Sequence, residues 1–244
     1  PVASAGTSNV SSVAVAGSGT AGARASGRAA AAESGFSEAW GAVSCDTFDV
    51  PAAVAGMSDC GYVTVPEFHQ QPAGPTIQVA VVRVRSSGDA PAPDPLFMEQ
   101  GGPGGSSIDL FAIKALPAFS KMKELLNSRD LVFVEQRGTL YSKPSMLCPE
   151  EVAPELAAKQ GLIDDEDLTF LQTCRDRLQA EGVNFDAFNS VENAADMYAV
   201  AQALGYESFN YYGVSYGTLL GQYVIAQAEE HPVQLRSVTV DAVI

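Results

Sequence analysis

Basic residues and histidines are scarce in this chain, and the shortage of basic residues excludes two classes of partner. The 244 residues include 14 lysines and arginines, 2 histidines and 29 acidic residues, for a formal net charge of −15. This charge repels nucleic acids and anionic membrane surfaces, so we expect neither as a partner. The chain also lacks an apolar run near the ~20 residues that a membrane-spanning helix needs, so no membrane span is predicted.

Cysteine is sparse as well, and its spacing argues against a zinc site. None of the four cysteines forms a C-x-x-C pair. They fall into two locally spaced pairs, Cys45 with Cys60 and Cys148 with Cys174. Two disulfides fit this spacing, each worth roughly 2–4 kcal/mol. The alternative is four buried free thiols in a cytosolic protein.

Large side chains are almost missing from residues 1–36, which consist mainly of Ala, Gly and Ser. Such a segment cannot bury enough surface to offset the entropy of ordering, so we expect a flexible leader. Gly17, Gly19 and Gly22 in this segment have dinucleotide-binding spacing. No apolar helix face and no second strand with an acidic end follow, so we predict no cofactor and no metal.

From about Trp40 onwards the patterns are those of a globular α/β protein. The predicted strands span 61–66, 76–86, 95–100, 130–138, 209–213 and 235–243. The predicted helices span 109–128 with a break near Pro117, 164–182, 190–204 with Ser190 as cap, and 216–232. The first two strands suggest a hairpin. The later alternation of strand and helix predicts a mostly parallel sheet with crossover helices.

The stretch GVSYGT, residues 213–218, has the spacing of a nucleophile elbow. In an elbow a strand turns sharply into a helix, and small residues two before and two after the serine relieve the crowding. Gly213 ends a predicted strand, Ser215 lies at the turn and Gly217 lies in the first helical turn. The alternative is an ordinary helix capped by Ser215, with glycines for packing.

A serine nucleophile needs backbone N–H donors for the oxyanion that forms during attack. The N–H of Tyr216 lies at a helix N-terminus, where the helix dipole also favours negative charge. A second donor should come from the loop after an earlier strand, and EQGGPGGSS, residues 99–107, lies there. The alternative for that stretch is an ordinary Gly-Pro turn.

GGPGGSS, VFVEQRGTLYSKP with CPE after it, GVSYGT and VTVDAV occur in this order over residues 40–244. In that order they resemble the α/β-hydrolase-fold serine exopeptidases of the proline iminopeptidase and tripeptidyl aminopeptidase group. The resemblance implies Ser215 as nucleophile, with the N–H groups of Gly102 and Tyr216 as the oxyanion hole. Gly101 is the alternative for the first donor.

Other matched positions imply support for the site and a secreted or cell-envelope location. Arg137 falls on the arginine of the family's D-Q-R-G segment and is expected to be structural and site-supporting. Cys148 and Cys174 match cysteines of secreted members of the group. The chain departs from the family pattern at Gln100, where His or Asn is common, and at Glu135, where Asp is common.

A catalytic histidine is the missing element. His69 lies in the predicted hairpin turn, where we expect a solvated residue. His231 would end the helix that Ser215 begins, roughly 24 Å away, against the ~3 Å that a general base requires. There a protonated ring would complement the helix dipole. Asp241 ends the following strand and is a minor candidate for the catalytic acid, because the resemblance places that acid on a later strand.

The leading hypothesis is an exported serine aminopeptidase that releases N-terminal residues or short peptides through an acyl-enzyme on Ser215. Residues 37–244 would then form the N-terminal part of its catalytic domain. The cap, the last strands, the acid and the histidine would lie in a C-terminal remainder, on the same or a separate chain. One alternative is an esterase for small molecules. The other is an inactive fragment that needs a complementary chain.

Overall fold

The computed structural model describes residues 39–148 and 169–244, and every structural statement below concerns those residues. The predictions for residues 1–36 and for the start of the helix at 164–168 lie outside the described residues. Residues 37–38 lie outside them too.

A mixed sheet of seven strands organises the described residues. The strands are β1 (Trp40–Val43), β2 (Ser58–Pro66), β3 (Thr76–Val84), β4 (Leu96–Glu99), β5 (Leu131–Val134), β6 (Ser208–Val214) and β7 (Gln234–Asp241). Their order across the sheet is β1-β2-β3-β5-β4-β6-β7. The strands from β1 to β5 in this order pair antiparallel, and those from β5 to β7 pair parallel.

The sheet confirms the predicted hairpin and the predicted parallel half. β2 and β3 pair along their whole length, from Ser58 opposite Val84 to Pro66 opposite Thr76. β5, β4, β6 and β7 run parallel, with helices in the connections from β4 to β5, from β5 to β6 and from β6 to β7. β1 was not predicted as a strand. It is a short edge strand of four residues with both middle residues exposed, so it carries no alternating pattern.

Helices pack on both faces of the sheet, as the layered α/β architecture requires. The α-helices are α1 (Ala52–Ala55), α2 (Leu116–Ala118), α3 (Ser120–Leu126), α4 (Thr169–Ala180), α5 (Ser190–Ala203) and α6 (Tyr216–Ala226). A π-helix spans Ile108–Ala115, and 3-10 turns span Cys45–Phe48 and Phe185–Ala187. One apolar core lies under α5 and α6, and the other lies under α1, α2, α3 and the π-helix.

One predicted helix break is confirmed, and two helix boundaries differ from the predicted ones. The break near Pro117 is present, with Phe119 in an extended conformation between α2 and α3. The predicted cap Ser190 is wrong, because the Asn189 side chain accepts hydrogen bonds from the first N–H groups of α5. α6 ends at Ala226 rather than near 232, and Pro232 disfavours helix in the residue before it.

Both disulfides are present, so the alternative of four free thiols is wrong for these cysteines. Cys45 bonds to Cys60 and Cys148 bonds to Cys174, with Cα–Cα distances of 5.2 and 5.7 Å. The first bridge attaches the 3-10 turn after β1 to β2. The second attaches the segment after β5 to α4.

Candidate active site

Ser215 lies at a strained turn between β6 and α6. Its backbone has φ 54° and ψ −122°, a region that residues other than glycine rarely adopt and that costs on the order of 1–3 kcal/mol. Its N–H donates to the Asp241 carbonyl at 3.1 Å, and its carbonyl accepts from the Thr218 N–H at 2.8 Å. The Ser215 side chain forms no capping hydrogen bond, which argues against the simple helix-cap alternative.

Three glycines allow the backbone to close around Ser215. A Cβ on Gly213 would lie 2.1 Å from the Gly217 carbonyl oxygen, and a Cβ on Gly217 would lie 2.7 Å from the Glu99 carbonyl oxygen. A Cβ on Gly101 would lie 2.6 Å from Ser215 Cβ and 2.9 Å from its Oγ. The segment after β4 therefore lies directly against the serine, as the predicted elbow and loop require.

That segment, residues 100–107, is called the glycine loop below, and side chains at its base hold it in place. The Gly101 N–H donates to Gln100 Oε1 at 3.1 Å, and Gln136 Nε2 donates to the Gln100 carbonyl at 2.9 Å. The Gln100 N–H in turn donates to Ser107 Oγ at 3.1 Å. Gln100, the departure from the family pattern, thus retains a hydrogen-bonding role in fixing the loop.

Two buried carboxyl groups lie at the base of the glycine loop. Glu135 accepts hydrogen bonds from Ser106 Oγ and Thr139 Oγ1, each at 2.9 Å. Glu99 Oε2 accepts from Ser107 Oγ at 3.3 Å, and within the described part of the chain its Oε1 has no partner. Burial, with a contribution from Glu135, raises the pKa of Glu99 well above its ordinary value. Burial also raises the pKa of Glu135.

Glu99 was missed as a site residue. The available signal was an acidic residue at the end of the short apolar strand in PLFMEQ, immediately before the glycines. An acid at that position is buried once the strand is covered on both faces.

Arg137 anchors a buried polar cluster next to the site. Its Nε and Nη2 donate to both carboxylate oxygens of Asp196, at 2.8 and 2.7 Å, and its Nη1 donates to the carbonyls of Glu67 and Ala187, each at 2.7 Å. The cluster connects the turn after β5, the β2–β3 hairpin and α5. Asp196 was missed, because an acid on a helix face usually lies in solvent.

The prediction of a solvated His69 is wrong. Its ring Nε2 lies 2.8 Å from Asp196 Oδ1, its backbone N–H donates to Glu192 Oε2 at 2.8 Å, and its side chain is only 20% exposed. The hairpin turn packs against α5 because Asp196 and Glu192 provide hydrogen-bond acceptors there. The sequence of the turn does not indicate this contact, because the acceptors lie on a helix that is distant in the chain.

The prediction that His231 ends the helix begun by Ser215 is also wrong. His231 lies beyond the end of α6, and its ring stacks on Tyr198 with centroids 4.2 Å apart. Burial lowers the pKa of His231, so the neutral ring is favoured over a protonated partner for the helix end. Asp241 holds an exposed carboxylate that accepts from the Tyr212 hydroxyl at 2.8 Å. Over residues 39–148 and 169–244, no hydrogen bond reaches Ser215 Oγ.

A cleft of about 380 Å³ opens beside the glycine loop at the carboxyl edge of the parallel strands. Its walls include Pro103 of the loop, the turn after β5 and the start of α5. Tyr216 lines it too, with its hydroxyl 2.8 Å from Ser190 Oγ. Ligands of open α/β sheets bind at this edge. The buried side chain of Asn193 also belongs to the wall, and its Oδ1 has no hydrogen-bond partner among the described residues.

The described residues contain neither a membrane-spanning helix nor a metal-binding cluster. None of their helices has both the length and the apolar character needed to cross a bilayer. No group of three or more His, Cys, Asp or Glu side chains among them is arranged to hold a metal ion.

A serine at a strained strand-to-helix turn, on the carboxyl edge of a sheet whose helices cover both faces, defines an α/β hydrolase. The family model described as alpha/beta hydrolase fold matches residues 94–243, and the chain belongs to this family.

The similar curated proteins include peptidases and an esterase. Serine protease Hip1 of Mycobacterium tuberculosis is 30% identical over 212 residues, which cover 82% of this chain and 38% of that protein. Tripeptidyl aminopeptidase of Streptomyces lividans is 30% identical over 195 residues, covering 76% and 35%. Carboxylesterase B of M. tuberculosis is 30% identical over 168 residues, covering 66% and 32%. The chain thus spans less than two fifths of the length of these relatives.

Solved structures with a similar fold include two proteins of the iminopeptidase type. The proline iminopeptidase-related protein of Thermus thermophilus is 21% identical, with a TM-score of 0.44 over 76% of this chain and 45% of that one. The proline iminopeptidase of Mycobacterium smegmatis is 19% identical, with a TM-score of 0.40 over 72% and 42%.

Proposed function

We propose that this chain supplies the nucleophile and oxyanion hole of a serine peptidase that releases N-terminal residues or short peptides. The observation that carries the proposal is the strained backbone of Ser215, which the glycine loop approaches within van der Waals contact. Strain of this kind persists only where the surrounding structure enforces it, and it concentrates at reactive positions. The likeness to a serine protease and a tripeptidyl aminopeptidase supports peptides as substrates.

In the proposed mechanism Ser215 Oγ attacks the scissile carbonyl and forms an acyl-enzyme that water then hydrolyses. The N–H groups of Gly102 and Tyr216 stabilise the oxyanion, each worth roughly 100- to 1000-fold in rate. The N–H of Tyr216 lies in the first turn of α6, where N–H groups lack intrahelical acceptors. Gly101 is the weaker candidate for the first donor, because its N–H is already hydrogen-bonded to Gln100.

The general base in this proposal comes from residues outside this sequence. Both histidines of the chain are engaged away from Ser215, one with Asp196 and the other with Tyr198. The chain alone should therefore hydrolyse no substrate, and activity should require the remainder of the enzyme. Turnover by the isolated 244-residue chain at the rate of the complete enzyme would contradict this part of the proposal.

The proposed place of action is outside the cytoplasm. The cysteines form two disulfides, Cys45–Cys60 and Cys148–Cys174. Such bonds persist in secreted and cell-envelope compartments and are rare in the reducing cytosol. Fractionation of cells that express the complete protein, with trapping of free thiols by alkylation, tests this location.

The decisive test of the nucleophile is labelling of the complete enzyme with a fluorophosphonate probe. The probe should attach to Ser215, and Ser215→Ala should abolish both labelling and hydrolysis of a peptidyl anilide. Ser237→Ala, at an exposed serine of β7, is the matched control and should retain both. Labelling or hydrolysis that survives in Ser215→Ala would overturn the assignment.

A second candidate function is ester hydrolysis, which the similarity to carboxylesterase B favours. Both reactions proceed through an acylated serine, so the nucleophile test does not separate them. Comparison of kcat/KM for peptidyl anilides with kcat/KM for simple alkyl esters does. A preference for the simple esters would favour the second candidate.

A further inference from the structure

Asn193 is a buried side chain whose Oδ1 has no partner in the part of the chain that the structure describes. It is 4% exposed. A buried polar atom left unpaired costs about 1–3 kcal/mol. Asn is also a poor residue for a helix interior, and Asn193 lies in the second turn of α5. Its presence is therefore not explained by the stability of the fold.

The position of Asn193 points to a ligand. It lines the cleft that Pro103 and Tyr216 also line, next to the glycine loop that contacts Ser215. The final torsion of an Asn side chain is soft, so a small cost turns its amide within the wall of the cleft. A ligand in the cleft can thus satisfy the atom that the protein leaves unpaired.

The charges in the cleft indicate which chemical group binds there. Among the described residues that line it, only Arg137 is charged, and its guanidinium is bound to Asp196 and to backbone carbonyls. A terminal ammonium would find no counter-ion among these residues. A neutral group with one donor and one acceptor is complementary to a side-chain amide, and a main-chain peptide group is such a group.

We propose that the side-chain amide of Asn193 binds a main-chain peptide group of the substrate in this cleft and favours peptides over simple esters. The inference rests on the proposed function, because it assumes that Ser215 is the nucleophile. It deepens that function by assigning a residue that selects the substrate class. Asn193 forms no bond with the reacting atoms, so it acts in substrate binding and positioning.

The test compares two substrates in the complete enzyme, a peptidyl anilide and a simple acetyl ester that lacks a peptide group. Asn193→Leu should lower kcat/KM for the anilide by about 10-fold, the value of one or two hydrogen bonds, and leave kcat/KM for the ester unchanged. Asn193→Asp, which keeps the size but loses the donor, should likewise lower kcat/KM for the anilide and leave kcat/KM for the ester unchanged. Gln202→Leu replaces an exposed amide of α5 and should change neither value.

Thermal unfolding separates this role from a structural one. Because Oδ1 is unpaired, Asn193→Leu should unfold at the same temperature as the unmodified protein or higher. A marked loss of stability, an equal fall for both substrates, or no fall for the anilide would overturn the inference.

The two proposals fail in different ways. If the unmodified enzyme reacts with the fluorophosphonate probe at Ser215 but Asn193→Leu shows no split, only the inference fails. If the unmodified enzyme does not react, the proposed function fails and the inference fails with it.

Discussion

Asn193 and Asp196 lie three residues apart on α5, and both are buried, yet their side-chain oxygens differ in hydrogen bonding. Asp196 accepts two hydrogen bonds from Arg137 and contacts the ring of His69. Asn193 lies in the wall of a cleft, and its Oδ1 has no partner among the residues that the structure describes. Polar groups in buried positions are normally paired, so a saturated group secures the fold and an unpaired one is available to a ligand.

The two buried glutamates at the base of the glycine loop repeat this contrast. Glu135 accepts from Ser106, Thr139 and the Ile108 N–H, whereas Glu99 accepts from Ser107 through Oε2 and its Oε1 has no partner among the described residues. Groups whose hydrogen bonds are all formed hold the site in place. Groups with an unpaired acceptor keep the capacity to form a further hydrogen bond. Five substitutions in the site and its supports test how the site is held, in order of decreasing effect.

Removal of Arg137 should have the largest effect on stability. Arg137→Met leaves the carboxylate of Asp196 buried without its main partner, and such a change costs about 3–5 kcal/mol of unfolding free energy. Arg85→Met is the matched control, because Arg85 pairs with Asp59 at the surface, where ion pairs contribute about 0–1 kcal/mol. Urea unfolding measures both. Equal losses in the two variants would contradict a structural role for the Arg137 cluster.

Gly213→Ala should distort the turn that carries Ser215. The new Cβ would lie 2.1 Å from the Gly217 carbonyl oxygen, so the backbone must move, at a cost of about 1–3 kcal/mol. The rate of fluorophosphonate labelling of the complete enzyme should fall with it. Gly56→Ala adds a methyl group at ordinary contact distance, 3.6 Å from the nearest atom, and should retain stability and labelling. Unchanged labelling in Gly213→Ala would show that the tight turn is not required.

The two glutamates should respond differently to replacement by glutamine. Glu135→Gln places an NH2 group among the donors of Ser106 and Thr139, and loss of an acceptor there costs about 1–3 kcal/mol. Glu99→Gln removes a poorly bonded acid and should cost less.

The pH dependence gives a second readout for Glu99. Because its pKa is raised above the ordinary value of 4.5 in the folded state, the folded protein binds this proton more tightly than the unfolded chain does. The stability from Glu99 is present below about pH 4.5 and is lost as the pH rises through the folded pKa. Glu99→Gln should therefore flatten the fall in stability above that pH. If the curves of unfolding free energy against pH for Glu99→Gln and for the unmodified protein run parallel, this prediction is contradicted.

Replacement of His69 should have the smallest effect. His69→Ala loses the contact with Asp196 and should cost about 0.5–1.5 kcal/mol in urea unfolding. Labelling of Ser215 in the complete enzyme should remain, because His69 is not the base. His231→Phe retains the stack on Tyr198 and serves as the matched control, with little change in either measurement. Loss of labelling in His69→Ala alone would assign that histidine a catalytic part.

The sequence by itself determined the order of the elements and the position of the elbow. Apolar periodicity predicts the β2–β3 hairpin and the parallel strands, because burial of one or both faces of a strand leaves a local pattern. The glycines around Ser215 also predict the tight turn from sequence, since such a turn needs residues without a Cβ at fixed spacing. The pairing of the cysteines followed from their local spacing.

Only the tertiary structure decided which polar residues meet. Arg137, Asp196 and His69 are far apart in the chain, and their contact depends on how the hairpin, the turn after β5 and α5 come together. The unpaired Oδ1 of Asn193 likewise has no signature in a local pattern. Local sequence records propensity and burial, whereas hydrogen-bond satisfaction depends on distant elements and is defined only once the chain has folded.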